Sequence, residues 1–89
     1  MTDNDPASPL PTLESLALRQ PMVVADVRVP DEFPEWQRWL EEIGFIPGES
    51  VCLLARAVPG GDPLVVRIGT STFALRRAEA ACVLVEAAG

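Results

Sequence analysis

The chain contains 89 residues, of which 48% are hydrophobic, and its 13 acidic and 7 basic residues give a formal net charge of −6. This length is that of one small domain with a modest hydrophobic core. The acidic balance disfavours nucleic-acid binding and attachment to anionic membranes, because both depend on a basic surface.

Residues 1–11 are predicted to be a disordered, acidic and proline-rich tail. Pro6, Pro9 and Pro11 occur there among small and polar residues, so the segment has too little apolar area to offset the entropy lost on ordering. The tail lacks the basic start and apolar stretch of a secretion signal. Apolar runs in the chain are far shorter than the roughly 20 residues of a membrane span. We therefore expect a cytoplasmic protein whose folded domain covers residues 12–89.

A short turn and a strand follow the tail. Residues 12–16 include Leu13 and Leu16, which are spaced to anchor a turn to the core. Residues 22–29 alternate in the manner typical of a strand, and Pro30 ends the run. The alternation predicts one strand face that consists of Val23, Ala25, Val27 and Val29.

The segment after Pro30 is predicted to be an amphipathic helix. Asp31 is placed to cap its start, Pro34 is tolerated in its first turn, and Gly44 supplies the left-handed residue that ends it. Apolar residues at three- and four-residue steps predict a buried helix face of Phe33, Trp36, Leu40 and Ile43.

Trp39 lies off this predicted buried face. An exposed tryptophan is often an anchor for a protein partner, because its ring covers a large area and keeps a hydrogen-bond donor. Partial burial against the domain is the simpler alternative. Both interpretations stay open at the level of the sequence.

Short apolar runs separated by turn residues fill the rest of the chain. Pro47 and Gly48 predict a type II turn, because proline presets the first central angle and glycine accepts a positive φ at the second. Four short strands cannot bury their apolar faces as a flat sheet, so we predict a mainly β domain that curls into a small barrel. The predicted strands are 51–58, Leu64–Ile68, 72–75 and 82–85. The chain is predicted to reverse at 59–63 and 69–71, and a short helical turn at 76–80 precedes the last strand.

No group of residues in the sequence predicts catalysis. The chain has no histidine that could activate its serines and threonines. The glycines between Pro59 and Pro63 lack the lysine and following helix of a phosphate-binding loop, which leaves a hairpin turn as the prediction. The carboxylates that neighbour each other on the helix are expected to face solvent. We therefore predict a binding protein and not an enzyme.

The two cysteines, Cys52 and Cys82, lie in separate strand-like runs. Each is expected to pack as a small hydrophobic residue in or near the barrel wall. They lack the C-x-x-C spacing of a zinc site, and a disulfide is not expected in a reducing cytoplasm. We predict no cofactor and no metal site, with at most adventitious divalent cations at surface carboxylates.

Three ordered blocks resemble the bacterial ferrous-iron-transport protein A (FeoA) family. Residues 40–48, with the sequence LEEIGFIPG, are similar to the family pattern L-x-x-L-G-[FLM]-x-P-G. The second block is Gly61-Asp62-Pro63 with Gly69 further on, and the third is ALRRAEA at residues 74–80. The usual T-L-x-x-L opening at residues 12–16 extends the resemblance over most of the predicted domain.

The resemblance implies an SH3-like barrel that works in the cytoplasm with FeoB, a membrane GTPase transporter, in ferrous iron uptake. It supplies no catalytic residues. Arg76 and Glu79 are expected to form an ion pair at the closing turn, worth about 0.2–0.5 kcal/mol if exposed. The matched positions imply structural turn roles for Gly44, Pro47, Gly48, Gly61, Asp62, Pro63 and Gly69.

The surface expected to bind FeoB consists of apolar or arginine groups that the core does not need, since such groups dominate binding hot spots. The candidate residues are Trp39, Leu64, Arg76 and Arg77. The alternative function is a metal-responsive regulatory domain, similar to the SH3-like C-terminal domain of iron-dependent repressors. Self-association of the chain is also left open.

Overall fold

The computed structural model describes residues 10–88, so residues 1–9 of the predicted tail lie outside the described residues. Within residues 10–88, no helix is long and apolar enough to cross a membrane. The domain is mainly β, as the sequence predicts. Its elements are a 3₁₀ turn (Leu13–Ser15), strands β1 (Met22–Val27), β2 (Ser50–Arg56), β3 (Leu64–Ile68), β4 (Ser71–Leu75) and β5 (Val83–Ala87), and helices α1 (Glu35–Glu42) and α2 (Arg77–Ala80).

The strands form one antiparallel sheet in the order β4-β3-β2-β1-β5, which places β4 and β5 at its two edges. The chain itself covers the β5 edge, since the N–H of Val85 donates to the carbonyl of Pro11 at 3.0 Å and Thr12 bridges to Leu84. Pro11, the last residue of the predicted tail, therefore belongs to the sheet edge. No ladder joins β4 to β5 in the described part of the chain, so the strands form a sheet with two edges rather than a fully closed barrel.

Strand bounds follow the predicted runs with small shifts. β3 coincides with its prediction, and β4 begins one residue earlier. β2 ends at Arg56, whose guanidinium donates to the carbonyls of Glu14 at 2.8 Å and Leu16 at 3.0 Å. These bonds attach the 3₁₀ turn to the sheet.

β1 contains an irregularity that interrupts its predicted alternation. The pairing with β5 shifts after Val24, which leaves Ala25 as the extra residue of a β-bulge. A bulge interrupts strict alternation, so the predicted common face is not continuous: Val27 is buried, whereas Val23, Ala25 and Val29 are half-buried. The buried residues of β1 are Met22, Val24 and Val27.

α1 begins later than the sequence predicts. Its first residue is Glu35 and Pro34 occupies the cap position, so Asp31 is not the cap. Proline fits this place because the first N–H groups of a helix have no partner within the helix. Proline also disfavours helical backbone in the residue before it, which explains why the helix does not include Phe33.

The predicted buried face of α1 is correct at three of its four positions. Leu40 is fully buried, and Trp36 and Ile43 pack half-buried against the core. Phe33 is the exception, because it precedes the helix. Its side chain is 43% exposed, and its ring stacks on Trp36 with the centroids 4.5 Å apart.

A Schellman motif ends α1. The N–H of Phe45 donates to the carbonyl of Leu40 at 2.9 Å, and the N–H of Gly44 donates to that of Glu41 at 3.1 Å. Gly44 has a φ of +121°, in agreement with the predicted cap. Phe45 and Leu40 are both fully buried, so the motif directs the chain into the core. The first of the three sequence blocks is thereby explained structurally.

Pro47 and Gly48 form the turn that leads to β2. The N–H of Glu49 donates to the carbonyl of Ile46 at 3.1 Å, and Gly48 has the predicted positive φ, +92°. The N–H of Gly48 donates to the carbonyl of Val24 at 2.8 Å, which attaches the turn to β1. Positive φ is also found at two other predicted turn residues, Gly61 and Gly69.

Replacing Gly48 with valine is expected to lower the free energy of unfolding by at least about 1 kcal/mol. No atom beyond the adjoining residues lies within 4 Å of the position that a Cβ would take, so the cost is backbone strain. Gly48→Asn is the matched control and should cost less, because asparagine accepts a positive φ in this turn. Urea unfolding measures both variants. An unchanged midpoint for Gly48→Val would show that the turn is misassigned.

Candidate functional site

An open surface groove of about 690 Å³ lies beside α1. Its walls come from α1, the connection between β2 and β3, β4, and the segment that enters α2. Two of the predicted partner-binding residues and two of the predicted turn residues meet there. We call it the Trp39 groove, and it is lined by Trp39, Asp62, Pro63, Ala74, Arg76 and Glu79.

Trp39 forms the α1 side of the groove. Its side chain is 37% exposed, because it lies off the helix face that carries Leu40 into the core. The residue is therefore surface-accessible on a helix that Leu40 anchors in the core. Glu35 and Glu42 lie four and three positions away in the helix and therefore share its side of α1.

Two carboxylates fix the opposite wall by bonding to the backbone at the start of α2. Asp62 Oδ1 accepts a hydrogen bond from the N–H of Arg77 at 3.1 Å. Glu79 Oε1 accepts one from the N–H of Arg76 at 2.8 Å. First-turn N–H groups have no helical partner, so both bonds stabilise the helix start. The Asp62 bond links the second sequence block to the third.

The ion pair predicted between Arg76 and Glu79 takes a different form. The Glu79 carboxylate bonds to the backbone of Arg76, which leaves the Arg76 side chain exposed on the groove. The guanidinium of Arg77 instead pairs with the carboxylate of Glu14 at 3.1 Å. Arg77 therefore joins α2 to the 3₁₀ turn and does not line the groove.

The predicted partner-binding surface includes Leu64, which the structure places in the core. Its side chain is fully buried and pairs across strands with Leu75, which is also fully buried. The alternation of β3 turns Leu64, Val66 and Ile68 toward the core. The prediction that Leu64 is a surface group that the core does not need is therefore wrong.

Ala74 and Glu79 line the groove although they were predicted neither as partner-binding residues nor as turn residues. Ala74 is an exposed residue of β4, and Glu79 is half-buried at α2. Both belong to the block at residues 74–80 that carries the family resemblance, which is the sequence signal that singles them out. With Asp62 and Glu79 against Arg76, and Glu35 and Glu42 beside Trp39, carboxylates outnumber guanidinium groups around this surface.

Both cysteines are free. Cys82 is buried, and burial, together with the charge of Glu79, raises the pKa of its thiol. A raised pKa keeps this thiol protonated, which disfavours it as a nucleophile or metal ligand. Cys52 is half-buried and lines a second cavity of about 330 Å³ with Met22 and Arg67. Within residues 10–88, no three or more Cys, Asp or Glu side chains are grouped so that they could hold a metal ion.

Comparison with solved structures identifies close relatives of this fold. One is the crystal structure of Stenotrophomonas maltophilia FeoA complexed with zinc, a prokaryotic SH3 domain protein whose sequence is 40% identical to this chain. The alignment covers 84% of this chain and 88% of that chain, at a TM-score of 0.76. Another is the solution structure of iron(II) transport protein A from Clostridium thermocellum, whose sequence is 35% identical to this chain. The alignment covers 88% of this chain and 46% of that chain, at a TM-score of 0.73.

A manganese-dependent transcriptional repressor has a similar fold. It is 24% identical, and the alignment covers 93% of this chain and 44% of the repressor at a TM-score of 0.75. No significant match was found among curated proteins. The FeoA domain model matches residues 12–87, which include every strand and helix described above. On this match and on its identity with the Stenotrophomonas protein, the chain belongs to the FeoA family of SH3-like domains.

Proposed function

We propose that this chain is a cytoplasmic accessory protein of bacterial ferrous iron uptake that binds the cytosolic part of the FeoB transporter and modulates it. Membership of the FeoA family supports the iron-transport context. The observation that carries the binding role is the Trp39 groove, where an exposed tryptophan and an exposed arginine line one surface. Tryptophan and arginine are the residue types most enriched at binding hot spots.

The groove is suited to binding because its walls are preorganised. Trp39 is carried by a helix whose Leu40 is locked in the core, and the Arg76 wall is fixed by the bonds of Asp62 and Glu79. A preformed surface loses little conformational entropy when a partner docks, so more of the contact energy remains as affinity. This role requires no catalytic group, and we propose none.

Replacing Trp39 with alanine is expected to weaken binding to the cytosolic domain of FeoB by about 1–2 kcal/mol while the fold survives. The loss follows from removing the aromatic wall of the groove. Calorimetry gives the affinity, and circular dichroism reports the fold. Leu18→Ala is the matched control, because Leu18 is an exposed apolar residue, 52% accessible, that does not line the groove.

Three outcomes of this experiment are distinct. Loss of folding in Trp39→Ala would make the residue part of the core. Full affinity would place the interface elsewhere on the domain. Absence of any binding by the unmodified chain, with a folded FeoB domain, would contradict the proposed function.

The alternative, a metal-responsive regulatory domain, rests on the fold shared with the repressor and on the zinc in the Stenotrophomonas relative. For this chain we predict no tight transition-metal site, because histidine is absent and exposed carboxylates alone compete weakly with water for Fe²⁺ or Zn²⁺. Calorimetric titration with each ion, Fe²⁺ under anaerobic conditions, should give dissociation constants above about 1 μM. Tighter binding of one ion per chain would favour the regulatory function.

A further inference from the structure

The outer edge of β4 has no strand or bridge on it within residues 10–88. In the part of the chain that the structure describes, β4 pairs with β3 alone, whereas the equivalent edge of β5 carries the bonds to Pro11 and Thr12. An uncovered edge strand presents free N–H and C=O groups, which form a template for another strand. The two edges of this sheet therefore differ in what they can bind.

The backbone groups that face outward on β4 belong to Thr72 and Ala74. Ile68 and Ser71 flank a two-residue turn, so the N–H of Ser71 points toward β3. Alternation then turns the N–H and C=O groups of Thr72 and Ala74 away from β3. Among the hydrogen bonds of residues 10–88, none outside the β3 ladder engages these two residues.

β4 also lacks the usual devices that prevent strand addition. The strand contains no charged residue and no proline. Its pairing with β3 is continuous, whereas the pairings of β1 with β5 and of β2 with β3 are both interrupted by register shifts. A regular, uncharged edge accepts an added strand without rearrangement.

The edge opens into the Trp39 groove, because Ala74 belongs to both. The groove is acidic on balance: Asp62 and Glu79 line it with Arg76, and on α1 the two carboxylates beside Trp39, Glu35 and Glu42, outnumber the one neighbouring guanidinium, that of Arg38. Carboxylates around an aromatic ring favour a cation, which also gains from contact with the ring face. The charge of this surface is therefore complementary to a basic segment.

We propose that an extended, lysine- or arginine-rich segment of a partner protein adds to β4 as a sixth strand and places a basic side chain against Trp39. Main-chain hydrogen bonds to Thr72 and Ala74 would supply affinity, and the acidic groove would supply selectivity. The inference deepens the proposed function and rests on it only in naming the cytosolic part of FeoB as the source of the segment.

The test uses two capped synthetic hexapeptides as probes, one alternating lysine with threonine and the other alternating glutamate with threonine. The lysine peptide should bind at least about tenfold more tightly at low salt, and the difference should shrink as salt screens the charges. At a peptide concentration ten times the dissociation constant, amide exchange at Thr72 and Ala74 should slow by roughly tenfold. Equal binding of both peptides, or protection elsewhere without protection of these amides, would overturn the proposal.

Two substitutions separate the contribution of backbone hydrogen bonds to peptide binding from the contribution of charge. Ala74→Pro removes one outward N–H without removing a bond to β3, and it should weaken lysine-peptide binding by at least about fivefold. Glu42→Gln should weaken it by about twofold, whereas the matched charge change Glu86→Gln, on β5, should leave it unchanged. If Ala74→Pro does not fold, the exchange measurement on the unmodified chain decides the question.

Two further outcomes are decisive. Concentration-dependent dimerisation of the chain that Ala74→Pro abolishes would show that a second copy occupies the edge, which would overturn the proposal. If the FeoB domain binds but the lysine peptide does not compete with it, the strand-addition site is wrong and the proposed function survives. If the peptide binds at β4 and the FeoB domain does not bind, the surface is right and the proposed partner is wrong.

Discussion

Replacing Phe45 with alanine is expected to lower the free energy of unfolding by about 3–5 kcal/mol, the largest single-residue effect that we predict. Phe45 is the bulkiest of the fully buried side chains, and its N–H completes the Schellman motif at the end of α1. Alanine would keep the backbone bond and remove the ring, which leaves a cavity in the hydrophobic core. Domains of this size have total stabilities of about 5–15 kcal/mol, so the variant should be close to unfolding.

Ile46→Ala is the matched control for this substitution. Ile46 is the next residue in the chain, and its side chain is 49% exposed, so its truncation should change stability by less than about 1 kcal/mol. Urea unfolding followed by circular dichroism measures both variants. Similar losses at the two positions would show that residue 45 does not fill the core.

Replacing Leu64 with alanine is expected to cost about 2–5 kcal/mol of stability, because its side chain is fully buried at the start of β3. The control is Val58→Ala, in the connection that precedes β3, since Val58 is 93% exposed and its truncation should have little effect. Thermal unfolding and FeoB affinity are measured on the same samples. A stable Leu64→Ala variant with weakened affinity would restore Leu64 as a partner-binding residue.

The sequence predicts most of the elements because its turn residues are unambiguous. Gly44 and the Pro47-Gly48 pair mark the end of α1 and the start of β2, and the structure places both turns as predicted. The burial of β1 was not predictable, because the bulge at Ala25 depends on pairing with β5 far away in the chain. The start of α1 was misjudged because Asp31 and Pro34 are both common near helix starts, and local pattern does not choose between them.

The candidate site was only partly predictable for a related reason. Periodicity placed Trp39 off the buried helix face, which the structure supports, but the groove also needs the bond from Asp62 to the backbone of Arg77. That contact joins residues from separate turns, and no local pattern reveals it. Leu64 was misplaced because a residue at the start of a strand can face either side, and the alternation with Val66 and Ile68 decides which.

The central claim is that the chain binds the cytosolic domain of FeoB through the Trp39 groove. NMR titration of the isotopically labelled chain with that domain tests this claim most directly. We predict that the largest shifts occur at the indole N–H of Trp39 and the amides of Ala74 and Arg76, while Met22 and Cys52 at the second cavity stay unchanged. The same titration of Trp39→Ala should require several-fold more partner to reach half-saturation. Shifts centred on Met22 and Cys52, or an unaltered spectrum at saturating partner, would contradict the account.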